Sequence, residues 1–317
     1  DEESGWACME HYFQQKERPD FGFAPDGDFP LINCEKGLMG IVLSGEPPAG
    51  SDSEPQIKWI KGGTRRNIVP DSAEAALSVT SPSLHSSLFQ RLQELAKETP
   101  WISVSEMNDQ IIIGAKGKSA HGSTPDQGKN AIIRLARFLA SLEVRGHLWD
   151  LMRFIAEKIG ADTDGSGLGI NSSDEVSGAL TMNLGVVEIN KDSIRMELDI
   201  RYPLCSKDAQ ILGIIEEETR PFGLTVGASH VLQPHYLSVD HPLVQSLLQI
   251  YQGETGDCSA PLSIGGRTYA MTLGTAVAFG PRFPGRPDLA HQKDEYISVA
   301  DLKSCARIYA QSLYRLA

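Results

Sequence analysis

No run of about 18 apolar residues interrupts the 317-residue sequence, so nothing in it reads as a membrane-spanning helix. Basic residues are scarce. Lys and Arg number 29 against 41 Asp and Glu, which leaves a net charge of −12 and a pI near 5.1. That balance argues against nucleic acid and against an anionic membrane surface as partners, because both select for basic patches. Cysteine is sparse too, with five residues at Cys8, Cys34, Cys205, Cys258 and Cys305. Their odd number, their wide spacing and the lack of a CxxC pair exclude a thiolate zinc ribbon and a disulfide framework. A reducing, cytoplasmic setting is expected. Glycines are frequent, yet none fall at the spacing of a P-loop or a Rossmann fingerprint.

What remains suits a globular protein with a sizeable core, at 41% hydrophobic residues and a mean hydropathy of −0.21. The length allows one large domain or two. A helix is expected over residues 4–20, ended by Pro19. Strands follow at Leu31-Ile32, at 40–43, at 57–61 and at 74–79. Leu84, Leu88, Leu92 and Leu95 keep helical spacing. Asn108-Asp109 joins a hairpin between 101–104 and 110–115, and a helix covers 129–142. A second hairpin joins 180–189 to 193–202. In its second strand Ile194, Met196, Leu198 and Ile200 alternate with Arg195, Glu197, Asp199 and Arg201, which predicts a solvated polar face. A helix over 207–219 and a strand at 224–226 complete this part. Two rounds of hairpin plus helix predict an α+β layer, an antiparallel sheet with helices on one face.

Beyond Gln233-Pro234-His235 the pattern changes. Asp240 is the expected N-cap of a helix from Pro242 to about Gln252. A glycine loop at Gly265-Gly266, a short strand at 275–279 and a Ser298-capped final helix follow. The two ends together read as one α/β layer, formed by residues 1–38 and 236–317. Residues 39–235 are inserted between them as a lid domain.

Oxygen and imidazole donors are spread over the loops of this plan. They are the carboxylates of Asp1-Glu2-Glu3, Asp26 in Ala24-Pro25-Asp26-Gly27-Asp28, His121 in Ser119-Ala120-His121-Gly122, and His291. Hydrolytic zinc sites draw on such donors. Taken singly, each is equally an exposed carboxylate or a loop histidine, and Gly265-Gly266 alone is a turn.

In series these residues resemble a known family. They are joined by Phe23 to Pro30, Glu35-Lys36-Gly37, Asn67-Ile68-Val69-Pro70-Asp71, Asp199-Ile200-Arg201-Tyr202-Pro203 and Phe283-Pro284-Gly285. The whole set runs in order from end to end, as in the dinuclear-zinc metallopeptidases. That family includes PepV-type dipeptidases, carnosinase, succinyl-diaminopimelate desuccinylase and aminoacylase, and the PepV type is the nearest match. The resemblance implies an α/β catalytic layer, incomplete here, carrying the α+β lid. It implies a metal-dependent dipeptidase with two zinc ions, or manganese. Glu2 would be the general base. Glu3 and His291 would ligate one metal and Asp26 the other. His121 would bond the developing oxyanion. Asn67 and Arg201 would hold the substrate, and Gly265-Gly266 would offer backbone N–H groups to its carboxylate. Two other readings stay open: an N-acyl-amino-acid or succinyl-diaminopimelate deacylase on the same metal core, and a non-catalytic, lid-containing binding fragment.

One departure stands out. The family's His-x-Asp strand and its bridging Asp have no counterpart in this sequence, which opens at the glutamate pair. A missing N-terminal segment of the same protein is therefore expected as a partner. On that reading the 317 residues alone bind zinc weakly and show no dipeptidase activity. Trp6, Met9 and Phe13 are then under-packed, or covered by another chain.

Overall fold

A computed structural model describes residues 6–48, 54–290 and 293–317. The chain divides into two compact units. The first comprises Asp1–Lys36, Glu175–Gly178 and Pro234–Ala317, and the second Gly37–Asp174 and Ala179–Gln233. Nothing in the sequence pattern sets Glu175–Gly178 apart.

The first unit opens with α1 (Ala7–Gln15), β1 (Gly22–Ala24), β2 (Gly27–Asp28) and β3 (Ile32–Glu35). The second unit then runs through β4 (Gly37–Gly45), β5 (Gln56–Gly62), β6 (Ser72–Ser78) and α2 (Pro82–Lys97). Next come β7 (Ile102–Met107), β8 (Gln110–Lys116), α3 (Ala131–Ala140) and α4 (His147–Phe154). After the short strands β9 (Ser173–Asp174) and β10 (Gly178–Ala179) follow β11 (Thr181–Ile189), β12 (Ile194–Tyr202), α5 (Asp208–Thr219) and β13 (Thr225–Leu232). The chain returns to the first unit with β14 (His235–Tyr236), α6 (Pro242–Thr255), β15 (Leu262–Ile264), β16 (Ala276–Ala278), β17 (Pro281–Arg282) and α7 (Val299–Leu316).

In the second unit eight antiparallel strands form one sheet in the order β13-β4-β12-β11-β5-β6-β8-β7. Alternation sorts its faces. Ile194, Met196, Leu198, Ile200 and Tyr202 of β12 are buried in one core with Leu135 and Leu139 of α3, Trp149 of α4 and Ile215 of α5. Full burial of one such aliphatic side chain stabilises by about 1.5–3 kcal/mol, so this face holds the unit together. The opposite face of β12 carries Arg195, Glu197, Asp199 and Arg201. The expected solvation holds for only part of that row, because Asp199 and Arg201 are buried. The α3 helix begins where the Asn130 side chain accepts from the backbone N–H groups of Ile132 and Ile133, an N-cap that satisfies two otherwise orphaned donors.

The first unit has a smaller mixed sheet in the order β1-β16-β3-β14, with β15 also paired to β3. β1 lies parallel to β16, and β15 parallel to β3. Phe29, Leu31, Val277 and Phe279 pack there with Leu247 and Tyr251 of α6 and Ile308 of α7. Two expectations are corrected. The cap of α6 is His241, whose side chain accepts from Leu243 N–H, rather than Asp240. Pro242 leaves no N–H at the first helical position, so the residue immediately before it is placed to cap. The first helix is also shorter than residues 4–20 and buries none of its side chains completely. Among the described residues no helix is long and apolar enough to cross a membrane.

Candidate active site

Two of the residues expected to act on substrate meet in the second unit. His121 lies on a loop that leaves β8 and is closed at its neck by two backbone bonds between Lys118 and Lys129, 2.9 and 2.8 Å long. The loop is tied to the segment after β5. Val69 N–H donates to Ala120 O at 2.9 Å, Gly122 N–H donates to Asn67 O at 2.7 Å, and the Ser119 hydroxyl donates to Val69 O at 3.1 Å. Ile68 and His121 form an antiparallel bridge. Residues 54 positions apart in sequence are thereby held side by side, both with exposed side chains. Glycine lets the two segments approach closely at position 122, where a Cβ would stand 3.0 Å from the Asn67 backbone.

The His121 ring is held through Nδ1 by its own loop. Ser123 N–H donates to His121 Nδ1 at 3.2 Å, and the Ser123 hydroxyl lies 2.7 Å from the same nitrogen. An Nδ1 that accepts from Ser123 N–H assigns the proton of a neutral imidazole to Nε2. Nε2–H is then a donor. An oxyanion needs such a donor.

Arg201 is placed by β12, paired across to Thr181 and Leu38. It is not a solvated strand residue. Its Nε donates to Asp199 Oδ1 at 2.6 Å and its Nη2 to Asp199 Oδ2 at 3.1 Å. Both side chains are nearly sealed, with relative exposures of 7% and 1%. Residues two apart on a strand point to one face, and the planar fork matches the carboxylate in two bonds.

In the first unit Asp26 occupies the exposed turn between β1 and β2. That turn is fixed from below. Phe279 N–H donates to Ala24 O at 2.8 Å, Gly27 N–H to Gly280 O at 2.7 Å and Phe29 N–H to Arg282 O at 2.8 Å. The neighbouring Asp28 is bound by Arg282, which also reaches Asp288 at 2.8 Å. The hydrogen bonds that Arg282 donates to Asp28 hold it protonated beyond the ordinary guanidinium range, against the opposing effect of its burial. Asp28 is thus spent in structure while Asp26 faces outward.

Gly265-Gly266 directly follows β15. The buried Glu35 carboxylate accepts from Thr268 N–H at 3.1 Å and from the Thr268 hydroxyl at 2.7 Å, and Lys36 N–H donates to Ile264 O at 2.9 Å. The loop is therefore anchored on both sides. His235, read as structural, points Nε2 at Ala276 O at 2.7 Å.

Glu2, Glu3 and His291 lie outside the described residues. Among the described residues no three His, Cys, Asp or Glu side chains come close enough together to hold a metal ion. Of the assigned metal residues only Asp26 is described. The carboxylate and imidazole set formed by Asp26, Glu3 and His291 suits zinc in donor type.

Sequence reasoning passed over Ser123 and Asn183, and it gave Glu35 and Asp199 no role beyond their place in the motifs. Asn183 offered the clearest signal, as a polar residue within the apolar run of β11. Ser123 carried only its position two residues beyond His121.

A family model for the peptidase dimerisation domain matches residues 109–213. The Bacillus subtilis (strain 168) protein named "Putative dipeptidase YtjP" is 38% identical over 320 residues, covering 100% of this chain and 68% of the relative. A similarly named protein of Staphylococcus saprophyticus is 34% identical over the same shares. The chain belongs to the M20 family of metallopeptidases. Among solved structures, an aminoacylhistidine dipeptidase from Vibrio alginolyticus is similar at a TM-score of 0.44 and 14% identity, over 91% of this chain and 63% of that one. That likeness is too slight to carry an argument.

Proposed function

We propose that this chain is part of a metal-dependent dipeptidase that hydrolyses the peptide bond of dipeptides. The observation that carries the reading is the bridge that sets His121, held through Nδ1 by Ser123 N–H, beside Asn67. Similarity along the whole chain to relatives named as dipeptidases supports it.

In this reading Glu3 and His291 would hold one metal ion and Asp26 a second, zinc or manganese. What the bound metal supplies is an activated water and a Lewis acid for the substrate carbonyl. The chain's own groups do the rest. Glu2 takes the proton of the attacking water and returns it to the leaving amine. His121 Nε2–H donates to the carbonyl oxygen as it gains charge, a contact commonly worth about 3 kcal/mol. Asn67 and Arg201 orient the substrate, and the Gly265-Gly266 backbone receives its terminal carboxylate. The five cysteines without a CxxC pair suit a reducing, cytoplasmic setting.

The test uses the protein that carries these 317 residues, stripped with a chelator and reloaded with zinc or manganese. A panel of dipeptides, tripeptides and N-acetyl amino acids is then assayed. Metal-dependent turnover of dipeptides, with His121→Ala lowering kcat by about 10²–10³ and leaving KM nearly constant, is the expected result. Turnover of N-acetyl amino acids in place of dipeptides, or a His121→Ala protein as active as the wild type, overturns the proposal.

A further inference from the structure

Asn183 sits on β11, 2% exposed, in a part of the sheet otherwise filled with apolar side chains. A buried amide costs free energy unless its hydrogen-bonding groups are matched. Here they are. Asn183 Nδ2 donates to Arg66 O and to Ile68 O, each at 3.0 Å. Asn183 Oδ1 accepts from Asn130 Nδ2 at 3.2 Å. Asn130 Nδ2 also donates to Leu184 O at 2.8 Å, and Asn130 Oδ1 caps α3.

The two carbonyls that Asn183 holds bracket Asn67. Arg66 and Asn67 are the central residues of a turn closed by Ile68 N–H, which donates to Arg65 O at 3.2 Å. With the carbonyls of residues 66 and 68 held by Asn183, the Asn67 carbonyl between them accepts from Gly122 N–H at 2.7 Å. The same segment is bridged to His121 through Ile68. A continuous path thus runs from the first turn of α3, through two amide side chains, to the segment beside His121. The sheet makes room for this segment. The β11–β12 register slips between Leu184 and Val186, and at Gly185 a Cβ would stand 2.2 Å from Arg66 O.

We infer that Asn183, oriented by Asn130, is a positioning residue that sets Asn67 and His121 for catalysis, without itself touching substrate. The inference rests on the dipeptidase reading for its catalytic consequence only. Its structural half stands independently. Asn suits the position better than its near-isostere. Asp would present a carboxylate to two carbonyl oxygens, with no N–H to offer either.

The experiment compares Asn183→Asp with the wild type by amide hydrogen exchange and by steady-state kinetics. Protection of the Gly122 amide should fall at least tenfold while the amides of β12 keep theirs. kcat should fall about 10²-fold, as expected for a misplacement of about 1 Å, with KM changed less than threefold. Unchanged Gly122 protection overturns the inference whatever the activity. Lost protection with unchanged kcat overturns its catalytic half. A wild type without dipeptidase turnover but with the expected loss of Gly122 protection removes the functional reading and keeps the positioning. Should Asn183→Asp fail to fold, Asn130→Asp decides. It keeps a good N-cap acceptor and removes the donation to Asn183, so it should lower Gly122 protection and kcat in the same direction. A silent Asn130→Asp then overturns the inference.

Discussion

A guanidinium taken out of water costs several kcal/mol unless a carboxylate meets it in plane. Arg201 and Asp199 satisfy that condition with two bonds from one strand. Their burial changes what a substitution at Arg201 reports. In the dipeptidase reading Arg201→Ala raises KM, because Arg201 holds the substrate in ground and transition states alike. It also leaves Asp199 buried without its partner, which should destabilise the fold by about 3–5 kcal/mol. Denaturant unfolding of Arg201→Ala, of Asp199→Asn and of the double variant checks this. The double variant should lose less than the sum of the singles. Additive losses would mean that the pair is not coupled. Strand alternation in the sequence correctly assigned Arg201 a face. It did not reveal that this face is buried at Asp199 and Arg201, in the second half of β12, since period two reports direction and not depth.

At the scale of elements the bulge in β11 does most to place the site. Gly185 lies in it, and a Cβ there would meet the Arg66 carbonyl oxygen at 2.2 Å. Gly185→Ala should push the 66–69 segment off the sheet. We expect a loss of about 1–3 kcal/mol, the usual cost of overpacking, together with reduced Gly122 protection. Chemical denaturation and amide exchange on one sample measure both. In the first unit the α6 residue Tyr251 donates to Asp257 Oδ2 at 2.9 Å. Burial first, and the Asp257 carboxylate second, push its hydroxyl up to about 12. A pKa raised on folding contributes stability that is whole below the unfolded value near 10. That contribution drains away as pH climbs toward the folded value. Denaturant midpoints should therefore drop between pH 10 and pH 12, and Tyr251→Phe should flatten the decline. Elements with a clear period were legible beforehand: the two hairpins, α3 with its one-sided apolar stripe, and Ser298 as the cap of α7. The α4 helix and the π-helical turn at Ile155–Ile159 were not. Asp150, Arg153 and Glu157 keep helical spacing on the less buried side, a signal that sequence reading passed over, and Gly146 supplies no side-chain cap. β13 reads short in the sequence because Gly227, Ala228, Ser229 and His230 have little strand propensity. Its pairing along β4 extends it nonetheless.

Across the whole molecule the two units differ in how their cores are built. The second unit gathers one continuous apolar cluster, from Met39 on β4 to Leu224 before β13, beneath its eight-stranded sheet. Every long strand of that sheet lies within 37–233, as do α2, α3, α4 and α5. The Asn67 and His121 arrangement, the Asn183 network and the Asp199–Arg201 pair belong to the same span. The first unit has a smaller core assembled from both ends of the chain, and its α1 helix buries no residue fully. A domain folds alone when the apolar area it buries exceeds the chain entropy it loses. The second unit has its elements and core in one stretch, interrupted only by Glu175–Gly178. Residues 37–233 made as a separate protein should therefore unfold in one cooperative transition, with Gly122 and β12 amides protected as in the longer chain. Thermal melting by circular dichroism, combined with amide exchange, tests this. A non-cooperative melt, or protection lost throughout β12, would show that the sheet depends on the first unit. Loss confined to Gly122 would show that only the His121 loop does.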